Sequence, residues 1–370
     1  MKIALVVPGG VDRSGEERVI PALIALIGRL AKEHDVHVFA THQEVERGSW
    51  VLEGARIHNL GLPRTAWRAA SVIVAEHRKR PFQVIHAFWA GGHAAVAVTI
   101  ANLLRVPSVV HVAGGELVTL EDIGYGGCRT WSGRMLRRTV LRGATLVTGA
   151  SRPILELVAE RGIDARRLPL GVDLRRWPLR APVRRMTAET VRLVHVASLN
   201  AVKDQPTLLR ALRELADGGR RFDVDVVGED TLGGKIQALA ASLGLAPRIR
   251  FHGFLTQRAL RPVVEAAHIA VISSRHEAGP LALLEAAAAG VPTVGTAVGH
   301  LAEWTPHAAV AVPRADPAAL AAALAGLIDN EDLRLSVASE AMRSAAREDA
   351  DYTARELNEI YQGLTGGVCA

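Results

Sequence analysis

The sequence predicts an α/β protein made of two doubly wound domains, and three observations carry that prediction. Short runs rich in Val and Ile alternate with helix-length amphipathic segments from end to end. The runs are continuously apolar, as expected of parallel strands covered on both faces. The alternation occurs twice, on either side of a stretch rich in Pro and Arg, and 370 residues is more chain than one hydrophobic core usually organises.

Taken in order, the strand runs of the first half are KIALVVP, DVHVFA, QVIHAFW, PSVVHVAG and ATLVTGAS. ERVIPALIALIGRLAKEH and GGHAAVAVTIANLLR are helical segments between them. RRWPLRAPVRRMTAET, residues 175–190, has two prolines, five arginines and no apolar periodicity, and reads as an interdomain linker. The second half then runs VRLVHVAS, FDVDVVG, IRFHGF, IAVISS, PTVGTA and AAVAVP, again separated by helical patterns. The expected division is 1–178 and 179–348, with DYTARELNEIYQGL in 349–370 forming a helix that packs back on the first domain.

About half the residues are apolar and 22% are charged, an ordinary soluble composition. The opening KIALVVPGG has the length of a strand rather than of a signal peptide, and no apolar run reaches the ~18 residues of a membrane span. The expected location is cytoplasmic. Cys128 and Cys369 stand far apart and imply neither a disulfide framework nor a zinc site.

Charge is uneven. Residues 1–180 hold 25 Lys+Arg against 16 Asp+Glu, a net of +9, while the remainder holds 19 against 22, a net of −3. A basic half beside a slightly acidic one suits an anionic partner for the first, or a solvated Arg-rich surface. RTWSGRMLRRTVLRGA, 129–144, carries five of those arginines on an amphipathic helical pattern. No recognition motif or aromatic platform accompanies them, which counts against nucleic acid.

Three stretches bear chemistry. PGGVDRSGEERV follows the first strand, but Glu16 and Glu17 stand where a P-loop needs Lys and Ser/Thr, and no G-x-G-x-x-G is present. What remains is a Gly-rich turn expected to run into a helix, whose amides and dipole suit an anion. Lys203 comes just after the second domain's first strand; it suits phosphate oxygens in a crevice and reads equally as a solvated lysine. HEAGPLALLEAAAAGVPTV, 276–294, holds two carboxylates in otherwise apolar surroundings. Glu277 falls on the loop after a strand and Glu285 on the following helix, with Pro280 in its first turn and Gly290 as its C-terminal cap. Amides from Gly279 to Leu281 would favour a pyrophosphate, and flanking carboxylates accept hydrogen bonds from sugar hydroxyls. An unpaired carboxylate inside a buried helix is costly without a use.

E-x7-E followed by A-x-A-x-G-x-P-x-V resembles the signature of the retaining GT-B glycosyltransferases of family 4. The resemblance extends along nearly the whole chain. SGEERVIPAL resembles the family's phosphate loop, with Gly15 facing the diphosphate. His86 in VIHAFW and His111 in VVHVAGGE match strand-end histidines, and ATLVTGASRPILELV, LPLGVDLRRW and FHGFLTQRALRPVVEAAHIAVISS match further segments in order.

That resemblance implies two Rossmann-like doubly wound domains facing a central cleft. It implies transfer of a sugar from a UDP- or GDP-linked donor to a carbohydrate, lipid-linked or small-molecule acceptor, with retention and without metal or other cofactor. Glu277 would hold the transferred sugar, Glu285 the ribose, and Lys203 with the amides of Ala278, Gly279, Pro280 and Leu281 the diphosphate. Phe251, Gly253 and Phe254 would line the base, and His111 would lie beside the donor sugar. Catalytic roles fall on His111, Lys203 and Glu277. The family usually carries Arg where this chain has Ser198, and Arg275 is the candidate replacement. Peripheral contact of the N-terminal half with an anionic membrane is a further implication. A sugar-nucleotide epimerase, a phosphorylase and a non-catalytic nucleotide-sugar-binding protein share the architecture. His86, His93, His195 and His252 lack metal-ligand spacing, and the acidic pair of FDVDVVGED lies within a strand.

Overall fold

The computed structural model describes residues 1–61, 66–186 and 189–366; Cys369 lies outside them. The chain forms two compact units, Met1–Gly171 with Ala350–Ala370, and Val172–Asp349.

In the first unit the strands are β1 (Lys2–Val7), β2 (Asp35–Ala40), β3 (Gly48–Leu52), β4 (Ala55–Asn59), β5 (Val84–Phe88), β6 (Ser108–Val112), β7 (Leu146–Gly149) and the short β8 (Arg166–Arg167). Its helices include α1 (Pro21–Leu30), α2 (Ala66–Lys79), α3 (Gly92–Leu104), α4 (Trp131–Gly143) and α5 (Arg152–Ala159). The sheet runs β3-β4-β2-β1-β5-β6-β7-β8 and is parallel except for β3 against β4. Strand β1 is buried at every position, which is why KIALVV is apolar on both faces. Leu5 pairs with Val38 on one side and His86 on the other, so strand order diverges between β1 and β5.

In the second unit the strands are β9 (Val191–Val196), β10 (Phe222–Val227), β11 (Ile249–Gly253), β12 (Ile269–Ile272), β13 (Thr293–Thr296) and β14 (Val310–Val312). The helices are α6 (Gln205–Asp217), α7 (Lys235–Ser242), α8 (Gln257–Glu265), α9 (Leu281–Ala288), α10 (Gly299–Trp304), α11 (Pro317–Asp329) and α12 (Glu331–Arg347). All six strands are parallel in the order β11-β10-β9-β12-β13-β14, and order diverges between β9 and β12. Helix α9 is nearly all buried, and just past its C-cap Ala289 stands Gly290, whose φ of +72° and approach to Arg180 O leave no room for a side chain.

The last helix, α13 (Ala350–Gly366), belongs to the first unit. Arg29 Nε donates to Asp351 Oδ1 at 2.6 Å, and Thr353 Oγ1 donates to Pro169 O at 2.8 Å. The fully buried Tyr361 hydroxyl lies 2.6 Å from His86 Nδ1.

Two sequence expectations are corrected. The division falls after Gly171 rather than after residue 178, because Val172 and Trp177 are buried in the second unit's core. The stretch read as a linker is docked on that unit instead: Arg180 N donates to Ala288 O at 2.9 Å, Arg184 pairs with Asp332, and Arg185 Nη2 donates to Ile328 O. Arginines without apolar periodicity resemble a linker until their partners are seen. No helix among the described residues is long and apolar enough to cross a membrane.

Candidate functional site

In open α/β sheets ligands gather beyond the carboxyl ends of the strands where the order diverges. In the second unit those strands are β9 and β12, and Lys203 follows one while Glu277 follows the other. Lys203 closes a short 3-10 turn, Ala201–Lys203, whose Asn200 side chain accepts from Lys203 N at 3.2 Å. Asp204, at φ +49°, then caps α6 through Thr207.

Lys203 Nζ lies 2.5 Å from Glu277 Oε1, and Ser274 Oγ donates to the same oxygen at 2.7 Å. Both charged side chains are mostly buried, at 24% and 14% exposure. The two loops are laced together: Ser273 Oγ donates to Lys203 O at 2.8 Å and Arg275 N to Val202 O at 2.7 Å. Beneath them His195 Nδ1 meets Val271 O at 2.9 Å, and the Gln205 amide donates to Ser198 O at 3.1 Å and reaches His195 Nε2 at 3.2 Å. Burial, with Lys203 nearby, lowers the His195 pKa to about 4, so a neutral imidazole ties β9 to β12.

The loop Arg275–Pro280 leads into α9, with Pro280 as its N-cap at ψ 116° rather than its first turn. Pro280 brings no N–H, so donors at this helix start come from its neighbours. Gly299, at φ +48°, approaches this loop so closely that a Cβ would stand 2.9 Å from Ala278 O and 3.0 Å from Glu277 O.

Glu285, on α9, is only 3% exposed and accepts from Gln257 Nε2 at 2.9 Å. Gln257 in turn accepts from Trp177 Nε1 at 2.5 Å. Burial raises the Glu285 pKa to about 8 against the help of Gln257, so the carboxyl is largely protonated at neutral pH.

The other predicted residues are dispersed. Phe251 packs against the second unit's core, while Gly253, at the end of β11, and Phe254, 56% exposed, face outward. Gly15 lies in the first unit in a turn that does not run into a helix as expected: Val11 bridges Val19 and α1 begins only at Pro21. The amides of that turn already have acceptors, Gly10 and Val11 in Gln43 Oε1 and Ser14 in Asp12 Oδ1. His111 is wholly buried, with Nδ1 2.9 Å from Thr148 Oγ1, and packs on Phe88; burial lowers its pKa to about 3. Its Nε2 is buried without a hydrogen-bond partner among the described residues.

Sequence reasoning missed Ser274, Gln257 and Gln205, neutral side chains whose role is visible only through the partners they hold. It also missed Glu116, which follows β6: its Oε1 accepts from Ala90 N at 3.2 Å while Oε2 is buried without a hydrogen-bond partner among the described residues. A hollow of about 320 Å³ opens at the carboxyl edge of the same sheet, lined by Thr41, His42, Leu60, Gly61 and His93 among others.

Fold and site together define a two-unit α/β protein with a Lys–Glu pair and a helix start at a topological switch point. Residues 190–330 match the family model described as glycosyl transferases group 1, and residues 15–171 match the glycosyl transferase 4-like domain. Each of the two units thus matches a glycosyl transferase family model. It is 33% identical over 178 residues to a D-inositol 3-phosphate glycosyltransferase of Corynebacterium jeikeium, a match taking in 46% of this chain and 42% of that protein. The aligned part thus spans less than half the length of that curated relative. The fold is similar to sucrose-phosphate synthase from Thermosynechococcus elongatus, at TM-score 0.79 and 18% identity over 99% of this chain and 100% of the other. It is also similar to Anabaena HepE in complex with UDP-glucose, at TM-score 0.76 and 17% identity over 98% and 100%. The fold is GT-B.

Proposed function

We propose that this protein is a retaining glycosyltransferase, moving a sugar from a UDP- or GDP-linked donor to an acceptor hydroxyl without a catalytic metal. One observation carries the reading: Lys203, Glu277 and the start of α9 meet at the carboxyl edge of β9 and β12. The helix start and Lys203 accept the diphosphate, Glu277 takes hydroxyls of the sugar, and Glu285 with Gln257 takes the ribose. Arg275 adjoins the Lys203 turn through its backbone and stands in for the cation that Ser198 does not supply. The similarity to a protein bound to UDP-glucose and to a named glycosyltransferase supports this assignment.

Chemistry then rests on positioning and electrostatics. As the bond to the diphosphate breaks, negative charge grows on its oxygens, and preorganised donors stabilise it by roughly 2.7–4 kcal/mol each. The acceptor, a carbohydrate, lipid-linked or small-molecule alcohol, is held by the first unit at the hollow beside His42 and His93. On α4 of that unit, Trp131 and Met135 are exposed beside Arg134, Arg138 and Arg142, a face suited to an anionic membrane. The test is nucleotide release from a panel of UDP- and GDP-sugars with varied acceptors. Transfer by the wild type and its loss in Glu277→Ala supports the reading; no turnover with any donor favours a binding protein instead.

A further inference from the structure

The first unit holds a cluster that the reaction does not use. His37 is buried on β2, His58 stands on the neighbouring β4, and Glu76 reaches them from the last turn of α2, which covers that face. One ligand atom from each of the three lies within 4.8 Å of the others. His37 Nδ1 is 2.9 Å from His58 Nε2 and 3.8 Å from Glu76 Oε2. The two rings are near parallel, with centroids 5.1 Å apart.

We propose that His37, His58 and Glu76 form a zinc site that pins α2 to the edge of the sheet. Two imidazoles and one carboxylate are an established ligand set for this ion, with water in the fourth position. Zinc bound to two imidazole nitrogens at ~2.0–2.1 Å in tetrahedral geometry separates them by about 3.3 Å, so the present pair needs to open by only about 0.4 Å. The carboxylate is already divided: Oε1 takes the Lys79 ammonium at 2.6 Å, and Oε2 faces the imidazoles.

The outer shell is also in place. His37 Nε2 is buried with no hydrogen bond among the described residues, yet Asp35 Oδ1 lies 3.4 Å away. With zinc on Nδ1, Nε2 keeps its proton and donates to Asp35, the carboxylate–histidine–metal arrangement that orients a ligand ring. Phe39 and Phe82 pack on the histidines and limit water. Lys2 opposes the site, being the nearest buried cation; its ammonium is held by Glu76 O and Arg80 O at 2.8 and 3.0 Å and lies over Phe82. Three residues from three separate elements converge on one point, with ring nitrogens facing each other, between the Phe39 and Phe82 rings and the charged Lys2, Asp35 and Lys79.

The experiment uses the full, untagged chain, stripped with a chelator and titrated with zinc against a chromophoric competitor, with cobalt as a spectroscopic substitute. One zinc per chain is expected, with the intense visible absorption of tetrahedral cobalt and a higher melting temperature in zinc. Asp35→Asn is expected to weaken binding ~10–100-fold as an outer-shell change. His58→Gln and Glu76→Gln are expected to weaken it further and to abolish the cobalt band. Glu76→Gln, partly exposed and close in shape, keeps the test valid if His58→Gln does not fold. A folded wild type that binds no stoichiometric zinc, or zinc held equally tightly by both ligand variants, overturns the proposal.

Discussion

Lys203 Nζ and Glu277 Oε1 stand 2.5 Å apart, joining the loops that follow β9 and β12, and Ser274 Oγ donates to that same carboxylate oxygen at 2.7 Å. The pair keeps two charges oriented in a partly buried place where either alone would be costly. On the proposed function, a donor diphosphate would compete with Glu277 for the lysine, which would leave the carboxylate available to sugar hydroxyls. Lys203→Ala and Glu277→Gln should each lower kcat/KM for transfer by roughly 10²–10³-fold. Because the two residues act on one another, the double variant should lose much less than the product of the single losses. Steady-state kinetics of the three variants checks this.

Glu285 makes stability depend on pH. Its folded pKa is about 8 against an ordinary value of 4.5, so the native state binds the proton more tightly than the unfolded chain. The stabilisation is fully present below about pH 4.5 and is lost as pH rises towards 8, at up to ~1.4 kcal/mol per pH unit. Unfolding by urea at pH 5 and pH 8 should show this loss in the wild type and a smaller one in Glu285→Gln.

Gly299→Ala tests the close approach of α10 to the Glu277 loop. The new Cβ would meet Ala278 O and Glu277 O at 2.9 and 3.0 Å, at a backbone φ of +48°. The variant should lose at least ~1 kcal/mol of stability and transfer more slowly, as the loop is pushed from its position. Melting temperature and kcat measured together separate the two effects.

Tyr361→Phe tests the hold of the last helix on its unit. It leaves His86 Nδ1 buried without its 2.6 Å partner, and should cost about 1–3 kcal/mol. The urea midpoint should fall with little change in slope.

The doubly wound architecture was legible because parallel strands buried on both faces read as unbroken Val and Ile runs, as KIALVV does at β1. Glu277 and Glu285 were legible for the opposite reason, as charges in a stretch with no other use for them. Local sequence carried less where partners come from far away. The arginines at 180, 184 and 185 resembled a linker until Ala288, Asp332 and Ile328 were seen beside them. His111 does stand near the end of β6, but nothing nearby in the chain reveals that Phe88, on the adjacent strand, packs against it. The His37, His58 and Glu76 cluster has no sequence signature, since its members come from two strands and a helix and meet only after folding.

The most direct test of the account is a thermal-shift titration of the full chain with UDP, GDP, ADP and TDP, repeated on Lys203→Ala. The account predicts that UDP or GDP raises stability by about 2.7 kcal/mol at 100 times its dissociation constant, and that the rise largely disappears in the variant. No shift with any of the four nucleotides, or an equal shift in Lys203→Ala, would contradict it.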